Sequence, residues 1–187
     1  MGTSRNDASP RTPAWRIALA VIGAPEVGVS RQNAEIWRAA VADRGERLFK
    51  DFANPVLAAA CRDVAGGVPV SDAIARYDRA ALHQADAGLA LEIGRRALAR
   101  CTSRKADAAA FAADLFAEAV SYYASRDLPS FVAAQGRVPD TSRVIQLKNS
   151  LREATREQIK ALGDPGLTLG EWRAHVKRAL RSLQSEG

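Results

Sequence analysis

SRKADAAAFAADLFAEAVSYYAS, residues 103–125, decides the fold class of this chain. Phe111, Leu115, Phe116, Val120 and Tyr123 recur at three-, four- and five-residue steps, which puts them on one stripe of a helix. Half of the residues between them are alanine, the strongest helix former, and β-branched runs that would mark a strand are missing. The segment is therefore a core helix starting near Ser103 and ending near Ser125.

The same grammar extends in both directions. Upstream, Ser71 is placed to cap a long helix running to about Cys101, with Ile74, Tyr77, Leu82, Leu89, Ile93 and Leu98 as its core. Gly88 and Gly94 fall inside it, and each costs about 1 kcal/mol against alanine, so a close helix crossing or a bend is expected there. Before it, Asn54-Pro55 reads as a cap followed by proline in the first helical turn, where its missing N–H is harmless. That helix carries Val56, Leu57, Ala60, Cys61 and Val64 and stops at Gly66-Gly67. Still earlier, Ser30 to about Phe52 shows Ile36, Trp37, Ala40, Val41, Leu48 and Phe52 on one face, and Ala14–Gly23 reads as a short packed helix behind a polar, disordered arm at residues 1–13.

Downstream, residues 127–140 contain Pro129, Gly136 and Pro139 and read as a loop between a helical body, residues 14–126, and a basic C-terminal helical pair, residues 141–187. The first helix of the pair runs from about Thr141 to Leu162 and is stopped by Gly163-Asp164-Pro165-Gly166. The second opens with Thr168 and Glu171 at capping-box spacing and carries Trp172, Val176, Leu180 and Leu183 on one stripe. The fold expected is all-α, a compact helical bundle of about six or seven helices.

Composition sets limits on function. Of the 187 residues 47% are apolar but only 6% aromatic, so the core must come from closely packed small-residue helices. No apolar run reaches the ~20 residues of a membrane span, and the N-terminal stretch lacks a secretory pattern, so a cytoplasmic protein with no membrane partner is expected. Two cysteines, Cys61 and Cys101, and two histidines, His83 and His175, are too few for a disulfide framework or a zinc site, and no cofactor or metal is expected.

The search for catalytic groups yields little. Glycine-rich phosphate loops, nucleophile elbows and Cys/His pairs are missing, and Asp72, Asp78, Asp86 and Asp114 are scattered, so the chain reads as a non-enzyme. Arg76 and His83 have the spacing that resembles the motif of HEPN-type ribonucleases, a remote alternative in which Tyr77 stands where a polar residue is usual. A loose helix-turn-helix reading of residues 54–76 is weakened by the length of the helix expected to follow.

Charge is more informative. The net +6 divides as +3 over residues 1–50, −1 over 51–136 and +4 over 137–187. Lys148, Arg152, Arg156 and Lys160 follow at four-residue steps on the first C-terminal helix, away from Val144, Leu147, Leu151, Ala154 and Leu162. Arg173, Lys177 and Arg181, with Arg178 nearby, repeat the pattern on the second. Cations about 6 Å apart along a helix can follow a phosphate backbone without reading bases. A third cluster, Arg95, Arg96, Arg100, Arg104 and Lys105, exceeds what a helix C-terminus needs. The competing reading is a solvated face, with Glu153 and Glu157 pairing across the first ridge.

The segment Phe111–Tyr123, then a loop, then Thr141-Ser142-Arg143-Val144-Ile145-Gln146-Leu147-Lys148-Asn149-Ser150-Leu151, resembles in layout the small helical subunits of CRISPR effector complexes. The resemblance implies a non-catalytic subunit of a ribonucleoprotein assembly in antiviral defence, touching other protein subunits and copies of itself, with arginine and lysine binding RNA or DNA in a sequence-tolerant way. The alternative class is a helical protein-interaction or regulatory module that binds no nucleic acid.

Overall fold

A computed structural model describes residues 48–84, 87–101, 107–135 and 141–184. The arm, the helix expected at Ala14–Gly23 and most of the helix expected from Ser30 lie outside them. The end of that last helix is seen as a helical turn at 48–52 with Leu48 and Phe52 buried. The described residues contain six helices and no strand, so the protein is all-α.

Asn54 and Pro55 act as their chemistry requires. The Asn54 carboxamide oxygen accepts the Val56 N–H at 2.7 Å and opens α1, Pro55–Ala65. Termination follows at Gly66-Gly67, where Gly67 takes φ 69°, a left-handed conformation that glycine adopts without a Cβ clash.

The long helix expected from Ser71 to Cys101 is instead two helices, α2 (Val70–Ala81) and α3 (Gly88–Arg100). The Pro69 carbonyl, not the Ser71 side chain, anchors the start of α2 by accepting from Asp72 and Ala73; Ser71 reaches only its neighbour Asp72. The physical reason for the break is a fold-back. The Tyr77 hydroxyl donates to the Leu91 carbonyl at 2.7 Å, whereas in one straight helix those residues would stand about 21 Å apart. The price is Leu82, expected in the core but 81% exposed in the turn.

Gly94 explains why α3 can come so close. A Cβ there would lie 2.3 Å from Leu57 Cδ2 and 2.4 Å from the Tyr77 hydroxyl, so the expected close crossing occurs at Gly94, while Gly88 has open space around it. Gly94→Ala gains about 1 kcal/mol of helix propensity but must push the Tyr77 hydroxyl off its acceptor and overpack a buried leucine. We expect a net loss of about 2 kcal/mol in urea unfolding, reduced when Tyr77→Phe is added to make room. A neutral Gly94→Ala would contradict the crossing.

α4, Ala108–Gln135, is the central helix. Asp107 caps it by accepting the Ala110 N–H at 2.7 Å, later than the start expected near Ser103, whose surroundings at 102–106 are outside the described residues. Residues 111–121 are buried around the whole circumference rather than along one stripe. The helix also continues through Pro129 to Gln135, so most of the loop expected at 127–140 is helical. Proline removes one backbone donor and crowds the carbonyl four residues back, a local cost that this 28-residue helix absorbs.

α5 (Thr141–Lys160) returns antiparallel to α4, and α6 (Leu169–Gln184) crosses back to the start of the described chain. The Trp172 indole N–H donates to the Phe52 carbonyl at 3.0 Å across 120 residues of sequence, its ring lies 6.3 Å from Phe111, and Phe52 stacks on Phe116 at 5.5 Å. The C-terminal pair therefore shares one core with the body.

Candidate nucleic-acid interface

The three cationic clusters expected from sequence meet three different fates. Arg95 bonds Asp78 at 2.9 Å and Arg96 bonds Glu92 one turn back on α3. Arg100 reaches Glu118 of α4 at 2.5 Å. Arg104 and Lys105 fall outside the described residues.

The ridge on α5 is not a solvent face, and here the expected separation of a basic side from a packed side fails. Arg156 and Arg152 point into the bundle, beside the fully buried Thr155 and Ile159. Arg156 bonds Asp114 at 2.6 Å and Glu153 at 2.6 Å; Arg152 donates to Ser121 Oγ at 3.0 Å and lies 3.3 Å from Glu118. Asp114 and Glu118 are one turn apart on α4, and Arg156 and Arg152 are one turn apart on α5. Opposed in antiparallel register, they form two rungs of a charged ladder inside the fold. Burial disfavours the Arg156 charge, but its bonds to Asp114 and then Glu153 outweigh this and hold the guanidinium above its ordinary value. Lys148 is half-buried and Lys160 exposed, with no carboxylate partner among the described residues. Lys160 sits at a helix C-terminus, where the macrodipole favours a cation.

Sequence reasoning treated Asp114 as one of several scattered carboxylates and did not weigh Glu118. The signal that could have found them is the match between two acids four residues apart on the most apolar helix and two arginines four apart on the next.

On α6 the expectation of a basic ridge opposite an apolar stripe is met. Trp172, Val176, Ala179, Leu180 and Leu183 face inward, while Arg173, Lys177, Arg178 and Arg181 are exposed. No carboxylate partners Arg173, Lys177 or Arg181 among the described residues. The helix holds one acid, Glu171, and the capping box spends it: its carboxylate accepts from the Leu167 and Thr168 N–H groups and the Thr168 hydroxyl, while Thr168 Oγ1 accepts the Glu171 N–H at 3.2 Å. Those bonds, chiefly from Thr168, hold the Glu171 carboxyl below its usual range.

No family model, curated protein or solved structure matches this chain. The arrangement of its side chains must carry the functional reading.

Three further features bear on that reading. Arg76 is held at 3.2 Å by Asp63 of α1, and His83 lies in the turn beyond α2, so the pair does not share a helix face as its spacing suggested. The break also leaves α2 only 12 residues long, so length no longer weighs against a helix-turn-helix; its exposed first turn, however, offers Ser71 and Asp72 and no cation. Cys61 and Cys101 are buried, and burial raises both thiols to about 12, aided by Asp164 for Cys61 and Asp114 for Cys101. Among the described residues no cluster of three or more His, Cys, Asp or Glu could hold a metal ion, and no helix is long and apolar enough to cross a membrane.

Proposed function

We propose that the protein is a non-catalytic helical subunit that binds nucleic-acid backbone within a larger assembly, in the manner of the small subunits of CRISPR effector complexes, and that α6 is the contact surface. One observation carries the reading: Arg173, Lys177 and Arg181 stand exposed at successive turns with no acid among the described residues to neutralise them, whereas Arg95, Arg96, Arg100, Arg152 and Arg156 each have one. Unpaired surface cations at ~6 Å intervals release counterions when they meet phosphates, and that release drives sequence-tolerant binding.

The test is fluorescence anisotropy with labelled nucleic acid over a salt series. With three phosphates neutralised, log K should fall against log salt with a slope of about −3. The variant Arg173→Glu/Lys177→Glu/Arg181→Glu should lose measurable binding while keeping its helical circular dichroism, because all three side chains are exposed. Absence of binding at low salt, or binding that ignores the triple change, would overturn the proposal and leave a protein-interaction module as the better reading.

A further inference from the structure

We infer that the α6 face takes the backbone of a nucleic-acid duplex in preference to a single strand. The inference rests on the reading of α6 as the contact surface and narrows its ligand.

Proteins that hold single strands combine a positive groove with aromatic side chains on which unpaired bases stack, each stack contributing about 1–3 kcal/mol. α6 turns its one such ring away. Trp172 is 1% exposed, its N–H is committed to the Phe52 carbonyl, and its faces lie against Phe111 and His175. A single strand meeting this surface would have to be ordered for the sake of ion pairs alone.

A duplex arrives already ordered. Its two strands present one negative charge per ~1.7 Å of axis, twice the density of either strand, so a fixed row of cations meets more phosphate at no ordering cost to the ligand. α6 supplies such a row on a helix pinned along its other side by Val176, Ala179 and Leu183. Among the described α6 residues the exposed non-basic positions are Gly170 and Ala174, apart from Glu171 at the cap. Neither side chain can donate to or accept from a base edge, so any direct readout there would fall to the cations alone, whose regular spacing suits the backbone.

The experiment compares four labelled probes of about 20 nucleotides at about 50 mM salt: duplex DNA, duplex RNA, and unstructured single strands of oligo-dT and oligo-U. At least one duplex should bind about tenfold or more tighter than its single strand. Each of Arg173→Gln, Lys177→Gln and Arg181→Gln should reduce the duplex salt slope by about 1. Arg62→Gln, an exposed cation on a different helix, α1, should not change it.

A second variant tests the stacking argument in the opposite direction. Ala174→Tyr places a ring on the exposed face without touching the core and should narrow the ratio by raising single-strand affinity. Single strands that bind as tightly as the duplexes, yet respond to the α6 changes, would overturn the duplex preference and leave α6 as the interface. Failure of every probe to bind, or duplex binding insensitive to α6, would overturn both. Which duplex binds better assigns B-form or A-form geometry.

Discussion

Arg156→Ala should destabilise the protein by about 3 kcal/mol, while Lys160→Ala, one turn further along the same sequence ridge, should cost less than about 0.5 kcal/mol. The two side chains are equivalent in the periodicity of α5 but not in the fold. The Arg156 side chain is 14% exposed against an Asp114 side chain that is 7% exposed, whereas Lys160 lies in water. Removing the guanidinium leaves a carboxylate inside the bundle with its principal counter-charge gone. Breaking one member of a buried pair typically costs about 3–5 kcal/mol, and the residual access of water to Arg156 places this case at the lower end. For a chain of this size the loss corresponds to a fall in Tm of about 6–12 °C.

A companion measurement separates charge from packing. Replacing both partners, as Arg156→Met with Asp114→Leu, removes the unpaired charge and should recover much of the loss, because an apolar pair of similar volume does not need the desolvation that the ions did. Equal thermal denaturation of Arg156→Ala and Lys160→Ala would refute the inward ladder.

The second large effect is on acid stability. His175 is fully buried and its ring is stacked on Trp172 at 6.3 Å. Its Nδ1 is 3.4 Å from the Arg178 guanidinium, and Nε2 has no hydrogen-bond partner among the described residues. Burial first, and the Arg178 charge second, lower its pKa from 6.5 to about 4, with Asp164 opposing weakly. The folded protein thus keeps the ring neutral where the unfolded chain would protonate it. This contribution is complete above pH 6.5. It declines as pH falls from 6.5 toward 4 and has disappeared once the folded state also takes up the proton. A shift of this size amounts to about 3 kcal/mol in total. Chemical denaturation from pH 8 to pH 4 should show wild type losing about that much more than His175→Phe, which retains a stacked ring without a titrating group. Parallel profiles for the two proteins would disprove the role of His175.

Helix ends in this chain were legible where chemistry within a few residues decides them. Asn54-Pro55, Gly66-Gly67 and the Thr168/Glu171 box behave as their local chemistry dictates, since each acts within a few residues. The break between α2 and α3 was hidden because alanine-rich sequence around Leu82 continues a helix as readily as it ends one; the deciding bond, Tyr77 to Leu91, is tertiary. Pro129 misled in the opposite direction, its local penalty being overridden by the length of α4.

The candidate interface was half legible for a similar reason. Periodicity groups Arg152 with Arg156 and Arg173 with Lys177, but it cannot say which group faces inward. Hydrophobic contrast settles that on α6, where Trp172, Val176 and Leu183 mark the inner side. On α5 the inner side is partly charged and complementary to Asp114 and Glu118, so the usual rule that cations mark the outside points the wrong way.

The two sealed thiols have a consequence for the protein's chemical lifetime. Only a thiolate attacks electrophiles or enters disulfide exchange, and a thiol raised to about 12 has only on the order of one molecule in 10⁵ so ionised at neutral pH. Oxidants and alkylating agents therefore meet Cys61 and Cys101 mainly when the bundle opens. Each covalent mark on them would record a past unfolding event, making this pair an internal counter of how often the molecule has come apart.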